Sequence, residues 1–209
     1  MSNTKKIPEE NLLVHPVLFD VGEMKPIPEP PPLPPEPEVK EIDWTNPMPF
    51  APLAGARFSE DGKHRYNLWR RFAEKGPTLL VIGVNPSKAG ADFNDPTITR
   101  YEGFAKRDKF ALLLAGNLLC HVATDPDDLK WVDDPIGPQA DEWLVKMRKM
   151  ADVCVVAWGN NGKFLKRDQH VLKLLAPLGP LHCFGLNKTG TPKHLLYLRS
   201  DTKMIEFKP

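Results

Sequence analysis

Residues 78–88 read Thr-Leu-Leu-Val-Ile-Gly-Val-Asn-Pro-Ser-Lys, and Asp95-Pro96-Thr97 follows a short way on. The run over 78–84 is apolar on both faces, as a strand is when helices cover its sheet from two sides. Asn85-Pro86-Ser87 then breaks it with turn-forming residues. Asp95 supplies a carboxylate for an N-cap and Pro96 suits the first helical position, so a helix is expected from there to about Lys106. Strand, polar turn and capped helix together open an α/β unit.

The same alternation continues in both directions. Residues 110–119 and 152–158 predict two more buried strands, and residues 181–186 a fourth. A helix is expected between Gly137-Pro138 and Met150, and a basic one from about Lys163 to Leu175. Upstream, the runs 56–59 and 64–72 flank Glu60-Asp61-Gly62-Lys63, a turn signal that predicts a hairpin. Strands alternating with helices imply a single three-layer α/β domain with a mostly parallel central sheet. It spans residues 53–209, with an N-terminal β-hairpin over 53–75 and the main sheet over 76–209.

Residues 1–52 differ in kind. Of the 23 prolines, 13 lie there, and 24–40 read MKPIPEPPPLPPEPEVK. Each proline removes a donor and pushes its predecessor towards extended geometry, so neither helix nor sheet can form. The expectation is a proline-rich, acidic, largely disordered tail, extended as polyproline II. It carries net charge −5, against +6 for the remainder. Its PPPLPPEP run suits an aromatic groove on a protein partner.

The formal charge of +1 gives no overall field favouring DNA or a membrane. Cys120, Cys154 and Cys183 form no C-x-x-C pair and no closed disulfide set, and each sits in an apolar run. Reduced, buried thiols and a cytoplasmic location follow. The apolar stretches are too short to cross a bilayer, and the first ten residues lack the apolar core of a secretory signal. The six histidines are scattered without ligand spacing, so no metal is expected. Gly159-Asn160-Asn161-Gly162-Lys163 is too short for a P-loop, and Phe164 replaces its hydroxyl residue. No G-x-G-x-x-G or G-x-S-x-G is present. No cofactor is expected.

In an open α/β sheet, ligands bind beyond the C-terminal strand ends. Those ends carry Gly83, Asn85, Pro86 and Ser87, then Asn117, then Trp158-Gly159-Asn160, then Asn187. Neutral groups that both donate and accept suit the edge of a polar planar ligand such as a nucleobase, with Trp158 available to stack. Turn formation alone also places such residues at strand ends.

The ordered motifs Arg65-Tyr66-Asn67-Leu68, Asn85-Pro86-Ser87-Lys88-Ala89, Asp95-Pro96-Thr97-Ile98-Thr99-Arg100, Asp134-Pro135-Ile136-Gly137, Ala157-Trp158-Gly159 and Gly190-Thr191-Pro192-Lys193-His194 resemble a bacterial and phage family, domain of unknown function 1643. The likeness covers about residue 56 to the C-terminus. One departure is Leu195, where the family pattern places a proline after the histidine; its loss would loosen the loop that holds His194. More remotely, the motif order is similar to the uracil-DNA glycosylase superfamily, with Gly83-Val84-Asn85-Pro86 standing for the first motif. That resemblance implies Asn85 and His194 as catalytic residues, Asn85 orienting water and His194 supporting the departing base. Asn117 would read a flipped base.

Ser87, Lys88 and Thr97 lie near the predicted helix N-terminus, Arg100 and Tyr101 extend a basic and aromatic surface beyond it, and Lys163 and Lys193 flank the later strand ends. They are the candidates for phosphate or nucleic-acid contact. Three functions remain: a DNA glycosylase-like hydrolase, a non-catalytic nucleotide or nucleic-acid binding module, and an interaction protein acting through its tail. The partner is accordingly DNA, a nucleotide or a protein, and not a membrane.

Overall fold

The computed structural model describes residues 53–209, which belong to one compact unit. The expectations for the tail, residues 1–52, lie outside the described residues. The strands are β1 (Ala54–Phe58), β2 (Arg65–Arg71), β3 (Thr78–Gly83), β4 (Leu112–Asn117), β5 (Val153–Val156), β6 (His182–Cys183) and β7 (Ile205–Glu206). The α-helices are α1 (Pro96–Arg107), α2 (Ala140–Met150) and α3 (Arg167–Leu175).

All seven strands form one sheet in the order β1-β2-β4-β3-β5-β6-β7. Its centre, β4-β3-β5-β6, is parallel, as the α/β alternation predicts. Both flanks are antiparallel: the β1–β2 hairpin joins β4 on one side, and β7 joins β6 on the other. The sheet is therefore mixed rather than mostly parallel. The hairpin belongs to the main sheet because β2 pairs directly with β4. The pairing of Ile205–Glu206 is too short to announce itself in sequence.

Alternation along the strands sorts the core into two layers. Leu80, Ile82, Leu112, Leu114, Cys154 and Val156 face α2 and α3, where they meet Leu144, Met147, Val171 and Leu175. Leu79, Val81, Leu113, Ala115 and Val155 face α1 and meet Ile98, Tyr101 and Phe104. Helices thus cover both faces, which is why the central strands read as continuous apolar runs.

Asp95 caps α1 as expected, its Oδ1 accepting from the Ile98 amide at 2.8 Å. The helix predicted from Lys163 starts later. Residues 160–166 form a 3-10 turn, and Leu165 and Lys166 take left-handed φ of 54° and 55° before α3 begins. That turn lets Arg167 reach inward, its Nε donating to Leu118 O at 2.8 Å. All three cysteines are free and buried. Burial pushes the Cys120 and Cys154 thiols up to about 12, which removes them as nucleophiles at neutral pH. No helix among the described residues is long and apolar enough to cross a membrane.

Candidate functional site

β3 is flanked by β4 on one side and β5 on the other. The β3–β4 crossover carries α1 over one face and the β4–β5 crossover carries α2 over the other, so the chain reverses direction at β3. Such a switch point leaves a crevice at the strand ends. Here it holds a cavity of about 440 Å³, lined in part by Gly83, Asn85, Asn117, Trp158, Tyr101 and His194.

Asn85 follows β3 directly. Its Nδ2 donates to Pro86 O at 3.0 Å and Ala123 O at 2.8 Å. The donor end of the carboxamide is spent on backbone, and Oδ1 has no hydrogen-bond partner among the described residues. Asn117 ends β4 opposite Gly83 in the parallel register. Its Oδ1 accepts from Arg65 Nη2 at 3.4 Å, leaving Nδ2 free. A Cβ on Gly83 would lie 3.0 Å from the Tyr101 hydroxyl and 3.1 Å from Asn117 Nδ2, so the missing side chain makes room for both polar groups.

Arg65 is 3% exposed, and its Nη1 donates to Ala89 O at 2.7 Å. Burial brings its guanidinium down to about 10, opposed by the nearby Asp95 carboxylate. It remains charged at neutral pH. Burial likewise raises the Tyr101 phenol, which stays protonated.

His194 enters from the loop before a short 3-10 helix, Leu195–Tyr197. Its Nδ1 accepts from the Leu196 amide at 3.3 Å, which places the ring proton on Nε2. Burial lowers its pKa, with Asp95 opposing, so the neutral Nε2–H donor form is favoured. Leu195, which departs from the family pattern, is fully buried against the α1 face and anchors this turn. The loop is also held by Gly159, whose amide donates to Pro192 O at 2.9 Å.

Of the expected site residues, Asn85, His194, Gly83, Ser87, Asn117, Trp158 and Thr97 line the cavity. Pro86, Asn187, Lys88, Arg100, Lys163 and Lys193 do not. Trp158 is 2% exposed and packs edge-on against Phe207, so it is mainly a core residue. Asn187 belongs to a polar clasp in which Asn160 Oδ1 accepts from the Thr189 and Thr191 hydroxyls at 2.7 and 2.6 Å. Arg100 donates to Leu198 O and lies over the Phe104 ring. Arg107 similarly donates to Ser200 O and Thr202 O, at 2.6 and 2.7 Å. These α1 guanidiniums fasten the C-terminal segment. The amide end of α1 already holds a carboxylate, because Asp95 Oδ1 accepts from the Ile98 amide, and Asp95 Oδ2 accepts from the Ala89 amide at 3.4 Å.

Sequence reasoning treated Arg65 as a family marker, Asp95 as a cap and Tyr101 as part of a surface. All three line the cavity. A cation in a strand that otherwise reads as buried was the available signal for Arg65. Among the described residues no cluster of three His, Cys, Asp or Glu is placed to hold a metal ion.

A family model described as protein of unknown function (DUF1643) matches residues 65–196. No curated protein and no solved structure matches the chain. The chain belongs to this family.

Proposed function

We propose that the cavity binds a nucleobase and that the protein hydrolyses the N-glycosidic bond holding it. The observation that carries this reading is convergence. Asn85, Asn117 and His194 come from three separate segments, line one cavity, and each keeps one polar atom uncommitted.

The chemistry follows from those atoms. Asn85 Oδ1 accepts a hydrogen bond from water and aims its oxygen at the anomeric carbon. A neutral amide positions water without abstracting its proton strongly. The C–N bond breaks as the C–O bond forms, and its electron pair leaves with the base. His194 Nε2–H donates to a base carbonyl on which that charge accumulates. Asn117 Nδ2 and the Tyr101 hydroxyl hold the base edge. The proton lost by the attacking water ends on the departing base. A base within a duplex must first be flipped out.

A second reading, binding of a free base or nucleoside without polymer contact, draws on the cavity rim. Residues 125–134 include Pro126, which lines the cavity, and carry five aspartates against the single Lys130. Carboxylates on that side repel a phosphate backbone.

The test uses the purified full chain and labelled DNA carrying uracil, G·T mismatches or modified pyrimidines, with alkali cleavage reporting abasic sites. Site-specific cleavage that is lost in Asn85→Ala is the result expected. Binding of DNA or nucleosides without abasic product moves the protein to the second reading. Neither binding nor cleavage overturns both.

A further inference from the structure

Arg65 is a buried guanidinium that spends both terminal nitrogens on the cavity wall, while its Nε has no hydrogen-bond partner. Its Nη1 is fixed on Ala89 O at 2.7 Å, and its Nη2 reaches Asn117 Oδ1 at 3.4 Å. Ala89 is held in turn, because its amide donates to Asp95 Oδ2 while Asp95 Oδ1 caps α1 through Ile98. The carboxylate, the Ala89 peptide, the guanidinium and the carboxamide form one connected line from the helix cap to the floor of the cavity.

The chemistry of the two side chains in contact is asymmetric. A guanidinium has only donors, whereas a carboxamide has a donor end and an acceptor end of nearly equal shape. Asn117 therefore has one tolerable orientation. With Oδ1 towards Arg65 it makes a hydrogen bond, and with Nδ2 there it sets N–H against N–H in a site where Asn117 is only 6% exposed. Gly83 leaves the space that Nδ2 then occupies, beside the Tyr101 hydroxyl.

We propose that Arg65 is a positioning residue that locks Asn117 with its amide donor facing the cavity, and so makes the site select a carbonyl edge over an amino edge. This rests on the reading that the cavity takes a nucleobase. The selection comes from Arg65 because no other described residue hydrogen-bonds the Asn117 side chain. Where Arg65 is replaced by a group that can also accept, Asn117 can turn over and meet an amino group equally well.

Two substitutions separate positioning from simple support. Arg65→Lys keeps a donor-only cation, and Arg65→Gln supplies both a donor and an acceptor. Both remove the fork, and only Arg65→Gln removes the buried charge opposite Asp95. Binding of 2′-deoxyuridine and 2′-deoxycytidine, which differ at C4 in a carbonyl against an amino group, is measured by calorimetry on the full chain. The wild type and Arg65→Lys should favour deoxyuridine by about tenfold, roughly one hydrogen bond made against one frustrated. In Arg65→Gln the ratio should fall to within about twofold. A purely structural role weakens both ligands together and leaves the ratio unchanged, which would overturn the proposal.

A ligand-free measurement reads the lock independently of nucleoside binding. The side-chain amide of Asn117, assigned by its loss in Asn117→Ser, is followed by ¹⁵N NMR. One sharp NH₂ pair in the wild type and in Arg65→Lys, broadened or doubled in Arg65→Gln, supports the lock. Identical signals in all three contradict it. If neither nucleoside binds any of the proteins, the nucleobase reading fails while the NMR arm still decides the lock.

Discussion

The side-chain amide of Asn85 donates to the carbonyl of Ala123 at 2.8 Å, tying the end of β3 to the segment that leaves β4. The Ala123 amide returns the contact by donating to Pro86 O at 3.0 Å. The pair closes one wall of the cavity. It also explains why an amide stands where a carboxylate would be the stronger base: a carboxylate would face two carbonyl oxygens, Pro86 O and Ala123 O, with no proton to offer.

Asn85→Asp is therefore expected to destabilise the protein by about 2 kcal/mol at neutral pH, since it loses two donors and sets like charge against like. Urea denaturation checks this. Catalysis should fall as well, because the carboxylate cannot keep the orientation that places Oδ1.

Gly83→Ala should weaken the site while sparing the fold. The new methyl would stand 3.0 Å from the Tyr101 hydroxyl and 3.1 Å from Asn117 Nδ2, and one of them must move. Affinity for deoxyuridine should drop roughly tenfold, about one hydrogen bond, with little change in the unfolding midpoint.

Asn160 lines the cavity and also holds the loop that brings in His194. Its Oδ1 gathers the Thr189 and Thr191 hydroxyls on the loop that leads to His194. Asn160→Ala should speed amide exchange across residues 185–194 and lower activity, whereas Asn160→Asp keeps the acceptor and should retain most of both. Hydrogen exchange with mass spectrometry reads the difference.

Acid should weaken the protein through its histidines. Burial lowers the pKa of His194 and of His121, the latter also pressed by His64. A histidine held below its unfolded value near 6.5 contributes stability that is present above that value and is lost as pH falls through the lower folded one. The unfolding midpoint should therefore decline as pH drops below about 6.5, and the slope should flatten in His194→Gln and in His121→Gln.

How much of this was legible in sequence depends on how local the cause is. The Asp95–Pro96 cap, the both-face apolar strands and the hairpin turn are set by residues within a few positions of one another, and the structure reproduces them. The antiparallel flanks were not visible, because the pairing of β2 with β4 and of β7 with β6 is decided by contacts far apart in the chain. The site divides in the same way. Strand-end position was enough to bring Asn85, Asn117 and Trp158 to the cavity. The basic residues were chosen by charge alone, which carries no direction, and Arg100 points to the C-terminal segment instead. Arg65 escaped because its role depends on Ala89 and Asn117, partners that only the folded sheet supplies.

The central claim is that this cavity receives a nucleobase. The most direct measurement titrates 2′-deoxyuridine into ¹⁵N-labelled full-length protein and maps the resonances that move. Saturable shifts centred on Gly83, Asn85, Asn117 and His194, with the midpoint moved to roughly tenfold higher ligand in Gly83→Ala, are what the account predicts. No saturable shift there, or shifts confined to another surface, would contradict it.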